Sequence, residues 1–122
     1  MSSETDIQIE QDSSVTVVTI GPELEHISES SIDRLHELLL ATAEEADPPR
    51  LLLDLSHVKM FGSSFIEVIF RAWHRLNARD GNAFGICGLT EYCQEILQVT
   101  HLEQLWNLYP DRASGVAALG AE

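Results

Sequence analysis

The stretch that most restricts the fold is "RLLLD", residues 50 to 54, in which three consecutive leucines lie between Pro48-Pro49 and the polar pair Ser56-His57. Side chains alternate between the two faces of a strand, so three apolar residues in a row require cover on both faces. The run is too short for a helix, and the prolines before it cannot continue one. A strand of this kind sits in the middle of a sheet, and an α/β sandwich is the expected result.

The flanking segments supply the cover. "IQIEQ" and "SVTVVTI" are short β-rich runs separated by the turn-forming Asp12, Ser13 and Ser14, which predicts an opening hairpin. From Ser28 onward Ile32, Leu35, Leu38, Leu39 and Ala43 recur at helical spacing, up to the stop at Pro48 and Pro49. Ile66, Ile69, Phe70, Trp73 and Leu76 mark a second helix over 64–79, with Phe70 and Trp73 assigned to its core face and Gly81 to its end. "AFGIC" reads as a strand, Thr90 as the cap of a third helix running to about Val99, "EQLWNLY" as a last strand, and Pro110 as the opening of a weak helix containing Gly115. The order is β-β-α-β-α-β-α-β-α, whose alternation implies parallel neighbours joined by right-handed crossovers. Residues 7 to 120 are expected to form one domain behind a disordered tail over 1–6.

Twenty acidic residues against seven basic ones give a formal charge of −13. Such a surface repels phosphate backbones and anionic headgroups, which argues against nucleic acid or a membrane as the partner. The first residues contain no basic segment followed by an apolar one, and no run reaches the roughly 20 apolar residues of a bilayer span, so a cytoplasmic location is expected. Cys87 and Cys93 lack C-x-x-C spacing and are read as reduced, packed thiols. His26, His36, His57, His74 and His101 form no H-E-x-x-H pair, and neither a P-loop nor a G-x-G-x-x-G is present. No enzymatic activity, metal or cofactor is therefore expected. Asp54, at a strand end, lacks the early acidic pair and the lysine of a phosphoaspartate site, and is assigned to the turn that follows it.

The chemistry concentrates in "FGSSF", residues 61 to 65. Ser64-x-x-Glu67 fits a capping box, in which the serine accepts from the N–H three residues on and the glutamate reaches back. Ser63 is left without a structural duty at the positive end of a helix dipole. A phosphate there would be held by backbone N–H groups, and its added charge would expel a docked partner from a surface that is already acidic.

"LLLDLSHVKMFGSSFIEVIFRAWHRL" resembles the central motif of the anti-sigma factor antagonists, bacterial members of the STAS (sulfate transporter and anti-sigma factor antagonist) domain family. The resemblance implies a STAS-like sandwich: a mixed, mostly parallel sheet of about five strands with helices packed mainly on one face. It places Ser63, with Ser64 as second choice, at the family's phosphorylated serine, and Glu25 of "GPELEH" at an acidic position near it. The implied partner is an anti-sigma factor that is also a serine protein kinase and brings its own ATP. It would meet a surface of Glu25, Gly62, Ser63, Ser64, Phe65 and Glu67, on a monomer or weak dimer. Gly62 stands where the family has aspartate, and Phe65 where it usually has glycine. Two other readings stay open: a STAS scaffold that is never phosphorylated, and a small hydrolase using Ser63 or Ser64, although no G-x-S-x-G elbow is present.

Overall fold

The computed structural model describes residues 7–21, 24, 27 and 29–120; the expected tail over 1–6 and the position of Glu25 lie outside the described residues. Strands β1 (Ile7–Asp12), β2 (Val15–Ile20), β3 (Arg50–Asp54), β4 (Ala83–Cys87) and β5 (Asn107–Tyr109) form one sheet in the order β1-β2-β3-β4-β5. β1 and β2 pair antiparallel from Ile7 opposite Ile20 to Asp12 opposite Val15, and the remaining neighbours are parallel. Helices α1 (Glu29–Glu45), α2 (Ser63–Asn77), α3 (Glu91–Val99) and α4 (Arg112–Gly120), with a 3-10 turn over Leu102–Gln104, complete the described elements. This is the mixed, mostly parallel α/β sandwich expected from the sequence.

The leucine run behaves as its alternation requires. Leu51 and Leu53 join Val18, Ile20 and Ile86 beneath α1, α2 and α3, whose inward residues include Leu35, Leu39, Phe65, Ile69, Leu76 and Leu97. Leu52 points the other way and meets Val15, Val17, Cys87 and Leu119 of α4. All three leucines are essentially solvent-free, and each contributes on the order of 2 kcal/mol by burial. β3 is thus the shared floor of two cores, with three helices on one face and α4 alone on the other.

Gly115 explains how so short a helix as α4 can cover its face. A Cβ there would stand 2.8 Å from Leu52 Cδ1, so only a residue without one lets the helix lie this close to the sheet. At the other end of the sandwich Arg79 donates to the carbonyl oxygens of Ala43 and Ala46 at 3.1 and 2.6 Å, filling acceptors that the end of α1 leaves open. Thr90 caps α3 as expected, its hydroxyl oxygen accepting from the Cys93 N–H at 3.2 Å.

Three local expectations are corrected. α2 starts at Ser63 and ends at Asn77, and Gly81 (φ +77°) serves the turn into β4, four residues beyond the helix end. "EQLWNLY" is a strand only over Asn107–Tyr109, because Leu102–Gln104 make a 3-10 turn that carries Trp106 inward against Phe84. The inward stripe of α2 is Phe65, Val68, Ile69, Ala72 and Leu76. Phe70, expected in the core from its helical spacing with Ile66, Ile69 and Leu76, is 40% exposed, and Trp73 is only partly buried. Small Ala72 lies within the buried stripe, while Phe70 and Trp73 lie about 140° and about 80° round the helix from its centre.

Gly115→Ala gains helix propensity worth at most about 1 kcal/mol but overpacks a site where the facing Leu52 is fully buried, at a cost of about 1–3 kcal/mol. Denaturant unfolding is expected to show a net loss of stability. Gly62→Ala, with open space around it, is expected to change the midpoint little.

Candidate functional site

The connection from β3 to α2 is short, and its own apolar residues fasten it. Leu55, Val58 and Phe61 are buried, while His57, Lys59 and Met60 face outward. Asp54 Oδ1 accepts from the Ser56 N–H at 3.0 Å, the turn role expected for it. Further on, Cys93 Sγ donates to the Lys59 carbonyl oxygen at 3.6 Å and Ile27 N–H donates to that of Met60 at 3.1 Å. The start of α2 is therefore held from three sides: the end of β3, the chain before α1, and α3.

At that start Gly62 is the N-cap, in an extended conformation and with no side-chain cap. Its carbonyl oxygen accepts from the N–H groups of Phe65 and Ile66 at 3.2 and 3.3 Å. The capping box expected at Ser64 and Glu67 does not form, because the N-cap is Gly62, two residues before the N-cap position that pattern gives Ser64. Glu67 instead pairs with Arg71 one turn on, at 2.9 Å, with both side chains more than half exposed.

The structure brings Gly62, Ser63 and Glu67 together on the solvent side of the first turns of α2, with Ser64 half-buried beside them. Phe65 is a correction. The resemblance puts it among the contact residues, but it is 1% exposed and packs on the Phe61 ring with centroids 5.3 Å apart. Where the family usually has glycine, this chain has a core residue that ties the helix start to the loop.

Sequence reasoning missed the rest of this surface. Met60, 44% exposed, and Phe70 offer apolar area on the loop and on α2. A groove of about 670 Å³ runs along α2 from Ser63 past Glu67, Phe70 and Arg71 to Arg75, walled by His36 and Leu40 of α1 and by Leu102. Phe70 closes edge-on against Trp73, which meets Trp106 in turn, so the exposed ring is backed by a packed aromatic row. A signal was present in the sequence: Ser63, Glu67, Phe70 and His74 follow helical spacing down one ridge.

Arg71 and Arg75, the latter paired with Glu44, make this face less acidic than a chain of net charge −13 is on average. Cys87 is buried at the end of β4, paired in register with Asp54. Burial first, and the neighbouring Asp54 carboxylate second, push its thiol from an ordinary 9.0 up to about 12. Burial likewise raises Cys93. Among the described residues no group of histidine, cysteine, aspartate and glutamate is placed to hold a metal ion, and no helix is long and apolar enough to cross a membrane.

The STAS domain family model matches residues 6–115. Among solved structures, an anti-sigma-factor antagonist (STAS) domain protein from Planctomyces limnophilus is 32% identical, with a TM-score of 0.88 over 93% of this chain and 97% of its own. An anti-sigma factor antagonist from Mycobacterium paratuberculosis is 22% identical, with a TM-score of 0.79 over 93% and 92%. The anti-sigma factor antagonist SpoIIAA in its unphosphorylated form shares the fold at 9% identity, with a TM-score of 0.77 over 95% and 97%. No curated protein matches the sequence.

Two outcomes follow from this geometry. Glu67→Ala removes an exposed ion pair and no cap, so the unfolding free energy is expected to move by less than about 0.5 kcal/mol. A raised thiol pKa favours the fold while the thiol is neutral in both states, and that contribution is lost as pH climbs from 9.0, its ordinary value, toward about 12. Stability is accordingly expected to fall with pH above about 9, and less so in Cys87→Ala, when melting is followed across the alkaline range.

Proposed function

Because this chain belongs to the STAS domain family, we propose that it is an anti-sigma factor antagonist, a regulatory module that acts by binding and not by catalysis. It docks an anti-sigma factor that is also a serine kinase through the solvent side of the β3–α2 loop and the first turns of α2. Ser63 is the residue phosphorylated, and phosphorylation ends the docking.

The observation that carries this reading is the exposure of Ser63 at the first position of α2, on a helix start braced by buried Val58, Phe61 and Phe65. A kinase needs the hydroxyl accessible, and a partner needs the surface around it rigid. Phosphate adds about −1.5 to −2 charges and three acceptor oxygens, which the N–H groups of the first turn can hold. A partner selected to fit the neutral serine then meets a doubly charged group, and each loss of about 1.4 kcal/mol is tenfold in affinity. The chain has no nucleotide-binding loop in its sequence, consistent with ATP arriving on the partner.

Gly62 favours a second reading, a STAS scaffold that docks without being phosphorylated, since the acidic residue that precedes the serine pair in the family is missing. A Cβ at Gly62 meets nothing within 4 Å, so an aspartate can be accommodated there. Incubation with candidate anti-sigma factor kinases from the same organism, ATP and magnesium, read by intact mass and site mapping, is expected to add one phosphate on Ser63. Phosphorylation of Gly62→Asp but not of the native chain would select the scaffold reading instead. In binding assays Ser63→Glu is expected to weaken partner affinity by about tenfold or more, with Ser63→Ala close to native. Equal affinities for the two variants would place the contact elsewhere.

A further inference from the structure

We infer that the α1–α2 groove is a binding site for a small organic monoanion with an apolar body, a carboxylate on an aliphatic or aromatic frame. The groove holds about 670 Å³, which is ample for such a molecule. Its apolar lining comes from three separate elements: Leu40 from α1, Ile66 and Phe70 from α2, and Leu102 from the 3-10 turn. Phe70 is the exposed ring among them, held in place edge-on to Trp73 with centroids 5.4 Å apart. A ring kept open to solvent by a packed neighbour offers a flat apolar contact at little ordering cost.

The polar groups decide the charge. Arg71 and Arg75 are two of only seven lysines and arginines in the chain, and both line the groove. Each already carries one carboxylate, Glu67 and Glu44 respectively, and all four side chains are at least half exposed. A guanidinium has five N–H donors, so a second carboxylate can be added to an existing pair. Two arginines offset by two glutamates can support one further negative charge against a molecule of net charge −13, and not the several charges of a nucleotide or polyphosphate. His36 and His74 complete the polar lining.

The test titrates the isotopically labelled protein with sodium dodecanoate and with indole-3-propionate, each kept below its aggregation threshold, and follows backbone amide NMR shifts alongside calorimetry. The neutral detergent dodecyl maltoside and the cation dodecyltrimethylammonium are the controls. At least one carboxylate is expected to bind saturably at one site, shifting amides of 36–40, 63–75 and 102, with affinity at least tenfold above either control. Phe70→Ala and the pair Arg71→Gln, Arg75→Gln are each expected to weaken it at least fivefold, while circular dichroism verifies that these exposed positions leave the fold intact. Absence of saturable binding by both carboxylates, equal affinity for dodecyl maltoside, or shifts confined to other surfaces would overturn the assignment. Ser63 also lines the groove, so the protein is used unphosphorylated and Ser63 is kept in every variant; the result then does not depend on whether a kinase acts on that residue.

Discussion

The burial of β3 on both faces is the constraint on which the rest of the molecule depends. Leu51 and Leu53 commit α1, α2 and α3 to one side of the sheet, and Leu52 commits α4 to the other. Once that floor is fixed, the chain leaving β3 has only eight residues, 55 to 62, in which to rise over the sheet edge and enter α2. It does so with Leu55, Val58 and Phe61 turned inward, and this leaves the start of α2 at the rim with its first residue facing water. The position of Ser63 is thus a consequence of strand packing.

Rigidity at that rim has identifiable sources. Phe65 packs on Phe61, Cys93 binds the carbonyl of Lys59, and Asp54 holds the turn at Ser56. On the proposed reading a phosphate on Ser63 is felt as a change of charge on a fixed surface, with no need for the helix to move. Discrimination would then rest on what a partner must desolvate or repel.

Element order, the central strand, the opening hairpin, the Thr90 cap and the Asx turn at Asp54 were all legible in the sequence, since each rests on local spacing or on a short-range hydrogen bond. The rotation of α2 was not. Two apolar stripes are present on that helix, one with the larger residues Ile66, Phe70 and Trp73 and one with Phe65, Val68 and Ala72, and local spacing does not say which is buried; the second is. Phe65 therefore lies inward and Phe70 outward, and with Gly62 as N-cap the capping box at Ser64 is not formed. The groove could not be read from sequence for a related reason: Leu40, Phe70 and Leu102 lie on three elements whose juxtaposition is tertiary. Ser63 was legible because its exposure follows from the strand–loop–helix junction itself.

The central claim is that the anti-sigma partner sits on the β3–α2 loop and the outer face of α2. Hydrogen exchange of this chain, alone and in complex with an anti-sigma factor from the same organism that binds it, tests that claim most directly. The account predicts slowed exchange over 59–71, with α4 and β1 unchanged. Protection confined to α4 or to the β1 edge, with 59–71 exchanging as in the free protein, would contradict it.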